Sequence, residues 1–267
     1  MPKPTKQISL SFLFLLIAIT ADSYSFNRFT FDGGRWTVDC ICNEDDNTTV
    51  TINRITKKTS IEQFSFPSKV SHEGRIFTVT SIDLYEGTSS FKSIHIPASI
   101  SSISNLNRCY YHEVTVDADS PYFKTKDGIL YDKSCSTLIS CPKDRSDIVF
   151  PDNLLQIGEF AFRNSRIKKV VLPSSITHVG GGAFDGSSCQ SIDLSKTQIE
   201  EIEGIVFSDC YSLTEIKFPS SLKYIQRGAF WNCRLKTITL PSSVCYIGES
   251  AFHTCDSLTS VSFFATP

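Results

Sequence analysis

The chain has 267 residues, of which 40% are hydrophobic and 20% are charged, a composition typical of a globular protein with a sizeable core. Its formal net charge is −2, which argues against a nucleic acid or an anionic membrane as its partner. The ten cysteines raise the question of disulfide bonds.

The first 25 residues predict a secretory signal peptide. Lys3 and Lys6 supply positive charge, and residues 8–20 form an apolar run of 13 residues, against the roughly 20 residues of a membrane span. We predict cleavage near Ser25, with earlier small residues as alternative positions, and a buried N-terminal helix as the competing interpretation. No later stretch is apolar enough to cross a membrane. The chain is therefore predicted to be secreted or extracellular, or associated with a cell surface, without an integral membrane segment.

Residues 26–65 predict a small β cap. Two alternating segments, 35–42 and 48–55, flank the acidic stretch 43–49 and predict a hairpin. Asn47 begins the sequon N-T-T, a possible glycosylation site that would be used only in a eukaryotic source. The acidic stretch lacks the spacing of an EF-hand calcium loop. We expect the hairpin to cover the open edge of the first coil of a repeat array.

Five segments of 22 to 24 residues repeat the pattern P-S-S-φ-x-x-φ-G-x-x-A-F-x-x-C-x-x-L-x-x-φ-x-φ, where φ is apolar. They span residues 151–172, 173–194, 195–218, 219–240 and 241–263. The regular repeats are therefore assigned to residues 151–267, and looser, degenerate copies occupy residues 66–116. Residues 117–150 interrupt the array, and the alternation in "GILYD" and "STLIS" predicts a hairpin-like insert there.

Each repeat is predicted to form one turn of a solenoid. Its last strand alternates, so Ile216 and Phe218 point inward while Glu215 and Lys217 point outward. Proline then ends the strand because it has no N–H to donate, and a second apolar pair begins the return leg. Stacking gives a mainly β solenoid with a parallel sheet along one face and short turns or helical corners on the other. The phenylalanines of the A-F pairs should form a buried spine: Phe162, Phe184, Phe207, Phe230 and Phe252.

The L-x-x-φ-x-φ core at this period is that of a leucine-rich repeat. Together with P-S-S-V-x-x-I-G-x-x-A-F-x-x-C, it resembles the BspA-like, or treponemal-type, leucine-rich repeat family over about residues 66–263. The stretches "SPYFKTKDGILYDKSCSTLISCP" and "GRIFTVTSI" also resemble segments common in that family. The resemblance implies a secreted or surface protein that binds other proteins, as an adhesin or a surface antigen. It supplies no catalytic residue to transfer.

No motif points to catalysis, a cofactor or a metal. None of the five histidines lies at metal-ligand spacing. The glycine run in residues 179–186 fills the G-x-x-A-F slot of the repeat, so we interpret it as turn geometry and not as a phosphate loop. We therefore predict a protein that is not an enzyme and needs no cofactor or metal.

The cysteines of the repeats are predicted to be small buried fillers with free thiols. Cys210, Cys233 and Cys255 share one column, and parallel stacking points their Cβ atoms the same way, which disfavours disulfide bonds. Cys245 lies between core positions and is predicted to be exposed. A bond among the cysteines of the insert region is the open alternative, and its candidates are Cys109, Cys135 and Cys141.

The outward side chains of the parallel strands form the candidate partner-binding face. They are mostly small and polar, without the aromatic clustering of a hot spot or the basic stripe of a nucleic-acid-binding surface. In chain order they are Ser93, His95, Lys169, Val171, Ser191, Asp193, Glu215, Lys217, Thr237, Thr239, Ser260 and Ser262. The insert is the alternative binding surface, where Tyr122, Phe123 and Tyr131 could be exposed.

These features predict a non-enzymatic protein that binds other proteins in adhesion or in host or cell-surface interaction. The expected partner is a surface or matrix protein of a host or neighbouring cell. The alternative is a self-associating structural or matrix component, in which the last coil of one molecule stacks on another.

Overall fold

The computed structural model describes residues 28–43, 46–86 and 89–263, so the predicted signal peptide lies outside the described residues. The chain winds into a β-solenoid of about eight turns, here called coils, with a mixed sheet at its N-terminal end. Its described part contains no α-helix and a single 3₁₀ turn at Leu106–Arg108. The predicted leucine-rich repeat solenoid with a small N-terminal β cap is confirmed.

The N-terminal cap is a mixed sheet that continues into the first coils. Its alternating sequence places Val38 and Cys40 fully in the core, while Thr37 and Asp39 are partly exposed. The strands of this region are β1 (Arg28–Asp32), β2 (Trp36–Asn43), β3 (Asp46–Lys57), β4 (Gln63–Ser65), β5 (Lys69–His72), β6 (Arg75–Glu86), β7 (Ser90–Ile96), β8 (Ser102–Ser104) and β9 (Tyr110–Val116). β1, β2, β3, β6 and β5 lie side by side in that order, and β4, β7 and β9 form a separate parallel sheet.

The insert contributes three strands whose side chains pack into two hydrophobic cores, that of the N-terminal part and that of the repeats. They are β10 (Phe123–Lys126), β11 (Ile129–Asp132) and β12 (Thr137–Ser140). β11 pairs antiparallel with both neighbours. Leu130 packs into the core of the N-terminal part, and the adjacent Tyr131 packs into the core of the repeats. Because both sides of β11 are covered, it acts as a buried joint between the two halves of the solenoid.

The expected exposure of the insert aromatics is wrong for two of the three residues. Phe123 and Tyr131 retain 6% and 1% of their accessible surface, whereas Tyr122 is 47% exposed. The physical reason is that the hairpin docks beside β9 and between the two cores, so its apolar side chains face inward on both sides. The insert therefore presents one large aromatic side chain to solvent in place of three.

Each regular coil contributes two short strands, and the return legs form parallel sheets that the sequence pattern did not predict. The strands are β13 (Gln156–Ile157), β14 (Lys169–Val171), β15 (His178–Val179), β16 (Ser191–Asp193), β17 (Glu201–Ile202), β18 (Glu215–Lys217), β19 (Tyr224–Ile225), β20 (Thr237–Leu240), β21 (Tyr246–Ile247) and β22 (Ser260–Phe263). We call β14, β16, β18, β20 and β22 the front strands, and β13, β15, β17, β19 and β21 the side strands. The front strands pair as β14–β16–β18 and β20–β22, and the side strands pair as β12–β13–β15 and β17–β19–β21.

The predicted phenylalanine spine is confirmed. The rings of Phe162, Phe184, Phe207, Phe230 and Phe252 stack with centroids 4.9 to 5.5 Å apart and interplanar angles of 1 to 19°. The first four rings are at most 1% exposed. In each of the first four spine coils, the amide of the spine residue donates to a carbonyl of the next coil at 2.7 to 2.9 Å. These backbone bonds hold the rings in stacking register.

The corners of the coils rely on left-handed backbone on both sides of each spine phenylalanine. The residues two positions before and after it have φ between 52 and 66°: Phe160, Gly182, Ile205, Gly228 and Ser250 before it, and Asn164, Gly186, Asp209, Asn232 and Thr254 after it. At Gly182 a Cβ atom would lie 2.2 Å from the ring of Phe160, so a side chain cannot be accommodated without displacement. Ile205 holds a conformation that costs a β-branched residue about 1–2 kcal/mol.

Candidate functional site

The twelve predicted face residues are divided among three hydrogen-bonded sheets. Ser93 and His95 lie on β7, in the sheet that β7 forms with β4 and β9. The other residues lie on the front strands, in the sheets β14–β16–β18 and β20–β22. Residues 117–168 separate the two regions along the chain. We call the part of the predicted row that lies on the front strands the front face.

The front face is polar and lightly cross-linked. Lys217 Nζ lies 3.7 Å from Asp193 and 3.9 Å from Glu215, and the hydroxyls of Thr239 and Ser262 are 3.2 Å apart. A hydrogen bond from the Ser195 hydroxyl is the main reason why the pKa of Asp193 is lowered. Exposed ion pairs of this kind contribute little to stability, so these side chains can exchange their partners at small cost.

His95 is already engaged within the chain. Its ring nitrogens lie 2.9 Å from the Thr115 hydroxyl and 2.9 Å from a carboxylate oxygen of Asp117. Asp117 also accepts from the amide of Ala98 at 2.9 Å, and this bond is the main reason why its pKa is lowered. Of the face residues, His95 is thus the least available to a partner. Asn47 lies inside β3, so its sequon begins within a strand and not in the predicted turn.

All ten cysteines lie in the described part of the chain and have free thiols, so the alternative disulfide in the insert region does not form. Cys210, Cys233 and Cys255 are buried, and their thiols donate to spine carbonyls of the preceding coil at 3.0 to 3.1 Å. Burial raises the pKa of Cys210 to about 12. These three thiols therefore supply hydrogen bonds to carbonyls at the corners and are chemically inert. Cys245 is exposed, as predicted.

A polar cluster around Asp144 joins the insert to the coils on either side of it. Tyr110 donates its hydroxyl to this carboxylate at 2.6 Å, Arg166 lies 3.3 Å away, and His112 contacts the second oxygen. The bond from Tyr110 is the main reason why the pKa of Asp144 is lowered. The cluster links β9 to the first regular coil. The described residues contain no group of three or more histidine, cysteine or acidic side chains that could hold a metal ion.

Sequence reasoning missed the aromatic residues of the side strands. Tyr224 and Tyr246 are directly paired neighbours on β19 and β21, and they are 39% and 49% exposed. The available signal was their common slot in the repeat, two residues after the first apolar position. Trp231 is 38% exposed at a corner and packs edge-on against His253. Among the described residues, no helix has both the length and the apolar character needed to cross a membrane.

Known proteins share both the repeat and the fold. Residues 138–259 match, in six copies, the family model described as a BspA type leucine rich repeat region. A leucine rich cell surface protein from Faecalibacterium prausnitzii is 19% identical, with 89% of this chain and 95% of that chain covered and a TM-score of 0.52. The pneumococcal vaccine antigen PcpA is 15% identical over 88% of this chain and 81% of its own, with a TM-score of 0.44. The leucine rich repeat protein of T. pallidum is 20% identical over 73% and 86%, with a TM-score of 0.40.

No curated protein matches the chain. At 19% identity the F. prausnitzii structure establishes the fold alone. The family assignment rests on the repeat itself, because the matched region contains the spine and the front strands β14, β16, β18 and β20 that the repeat pattern predicts. The repeat region at residues 138–259 therefore belongs to the BspA-type leucine-rich repeat family.

Proposed function

We propose that this chain is a secreted or cell-surface protein without catalytic activity, which binds another protein through its front face. The observation that carries the proposal is the row of outward side chains on the front strands, aligned from coil to coil within each sheet. Solenoids commonly bind partners along extended surfaces of this kind.

Localisation outside the cell rests on the predicted signal peptide and on likeness to a protein described as a cell surface protein. The absence of catalysis rests on the repeat pattern, which accounts for the glycine run and the cysteine column without assigning either a chemical role. Both statements belong to the proposal.

The chemistry of the front face favours a partner with a polar surface of mixed charge. Asp193, Glu215 and Lys217 place both signs of charge close together, while Val171 adds a side chain that is 62% exposed. Val149, which is 84% exposed, precedes it by one repeat period. Such a surface selects its partner by complementary charges around a small apolar contact.

The test exchanges charges on the front face without changing the net charge. A partner is first captured from cell-surface and matrix extracts with the secreted chain and identified by mass spectrometry. Its affinity is then measured for the double variant Glu215→Arg, Lys217→Glu. We expect binding to weaken at least tenfold, because like charges now face each other across the interface, while the melting temperature stays unchanged.

The matched control exchanges an equivalent pair on the side of the coils. Lys223 Nζ lies 2.8 Å from Glu200, beside the side strands. The variant Glu200→Arg, Lys223→Glu should therefore bind like the unmodified chain. Equal affinities of the front-face variant and the unmodified chain would place the binding surface elsewhere.

Self-association is the second candidate, and the exposed coil 241–263 favours it. Ile247, Val261 and Phe263 are 46%, 52% and 60% exposed, whereas the equivalent Ile225 and Ile238 of the preceding coil are 0% and 2% exposed. Sedimentation velocity at micromolar concentration distinguishes the candidates, because a strictly monomeric chain would exclude assembly through this coil.

A further inference from the structure

A second surface feature lies at the corners of the last three coils and shares no residue with the front face. It is a cavity of about 510 Å³, within the range of about 300 to 1,000 Å³ typical of small-molecule sites. Its lining comprises Tyr211, Asn232, Cys233, Arg234, Thr254, Asp256 and Ser257.

One side of the cavity is held in place by a chain of hydrogen bonds that crosses three coils. Tyr211 donates its hydroxyl to Asp209 Oδ1 at 2.9 Å, and Asn232 Nδ2 donates to the same oxygen at 2.7 Å. Thr254 in turn donates its hydroxyl to Asn232 Oδ1. Asn232 Oδ1 still has one lone pair to offer. Because these groups are already fixed, a ligand would lose little entropy in ordering them.

Asp209, Asn232 and Thr254 have a structural role, because their hydrogen bonds stabilise the corner turns. That role does not account for the other groups at the cavity. The ring of Tyr211 is 57% exposed and is held there by its own hydroxyl. Arg234 and Asp256 line the same cavity, and within the described part of the chain neither side chain has a hydrogen-bond or ion-pair partner. The cavity thus combines an aromatic face, an amide, hydroxyls and one unpaired charge of each sign.

We propose that this cavity binds a neutral saccharide unit, such as a terminal sugar of a surface glycan. The electron-rich face of Tyr211 attracts the polarised C–H groups on one side of a sugar ring. Sugar hydroxyls both donate and accept, so they can satisfy the guanidinium of Arg234, the carboxylate of Asp256 and the remaining lone pair of Asn232 Oδ1 together. An anionic ligand would meet Asp256, and a cationic one would meet Arg234.

An acidic peptide is the competing ligand, since Arg234 could pair with its carboxylates. The lining argues against it, because Asp256 repels such a peptide at the same cavity and the formal charges of these two residues cancel. The proposal is independent of the front face, so protein binding can fail without affecting the cavity.

The test uses the secreted full chain with methyl glycosides of glucose, galactose, mannose and N-acetylglucosamine at millimolar concentration. Saturation-transfer NMR should detect binding of at least one glycoside. The variants Tyr211→Ala and Asp256→Ala should each weaken that binding about tenfold or more, as the loss of a principal contact predicts. Tyr224→Ala is the matched control, because it removes an exposed tyrosine from a side strand and should leave binding unchanged.

Thermal unfolding of each variant shows that the fold is retained, and Tyr211→Phe provides a second measurement that keeps the ring. That variant should bind more tightly than Tyr211→Ala. The proposal is overturned if no neutral glycoside binds to the unmodified chain, or if the Tyr224 variant loses as much affinity as the Tyr211 variant. Selective binding of an acidic peptide that strengthens in Asp256→Ala would also overturn it.

Discussion

The phenylalanine spine predicts how the cost of a truncation should vary along the array. Phe207 is 1% exposed and stacks on neighbours on both sides, with centroids 5.5 and 5.2 Å away. Phe252 is only partly buried and stacks on one neighbour, at 5.1 Å. Replacing a buried phenylalanine with alanine removes its transfer free energy and leaves a cavity, and costs about 3–5 kcal/mol.

We therefore expect Phe207→Ala to lower the free energy of unfolding by about 3–5 kcal/mol. Phe252→Ala should cost about half as much, because part of that ring already contacts water and it stacks on one ring of the described residues, whereas Phe207 stacks on two. At about 2–4 °C per kcal/mol for a chain of this size, the internal variant should melt roughly 6–20 °C lower. Urea titration followed by circular dichroism measures both costs, and the slope of the transition shows whether unfolding remains cooperative.

Phe207→Leu is the control, because it keeps most of the volume and removes only the ring stacking, at a cost below about 1.5 kcal/mol. The reasoning is refuted if the internal and terminal alanine variants lose equal stability. That result would mean that stacking between neighbouring coils does not hold the array together.

Three further predictions concern the corner glycines, the reactivity of the thiols and the loss of stability at acidic pH. Gly182→Ala should destabilise the chain by more than about 2 kcal/mol, because the left-handed φ of 62° and the clash with the ring of Phe160 act together. Gly34→Ala should lose less stability in thermal unfolding, because its φ is also left-handed, at 81°, but its Cβ position is open. In the native chain, iodoacetamide should label Cys245 far faster than Cys210. Burial raises the pKa of Cys210 to about 12, and a shift of that size lowers the thiolate fraction about a thousandfold. The lowered pKa of Asp144 stabilises the fold above about pH 4, and this contribution is lost as the pH falls through the folded-state pKa; Asp144→Asn should therefore lower the melting temperature at neutral pH and make little difference in strong acid.

Each of these predictions has an outcome that contradicts it. Equal losses at both glycines would show that the crowded corner adds nothing to backbone strain. Labelling of Cys210 as fast as that of Cys245 would show that the column opens readily to solvent. A constant difference in melting temperature between the Asp144→Asn variant and the unmodified chain across the pH range would show that ionisation of this carboxylate is not what links the coils.

The sequence predicted those parts of the fold that every coil repeats. Phe184 and Phe230 recur in one slot, and a residue that recurs in a stacked array must meet its own copies. The same logic placed Cys233 in a buried column that it shares with Cys210 and Cys255. The front strands followed from the two-residue alternation after the leucine.

The repeat pattern could not predict features that occur only once in the chain. Phe123 and Tyr131 alternate like residues of an ordinary surface hairpin, and only docking between two cores buries both of them. The side strands are two residues long, too short to produce a periodic signal of their own. Their pairing depends on the neighbouring coil, which supplies the hydrogen bonds.

By itself, then, the sequence determined the solenoid, its period and its spine, because a repeated apolar pattern can be buried only by stacking. The tertiary structure alone decided that Phe123 and Tyr131 are buried between two cores, and that a cavity forms beside Tyr211, Arg234 and Asp256. Those three residues occupy one variable slot in three successive coils, the position after the cysteine column, and the pattern does not constrain which side chains fill it. They meet because stacking brings positions more than twenty residues apart in sequence next to one another in space.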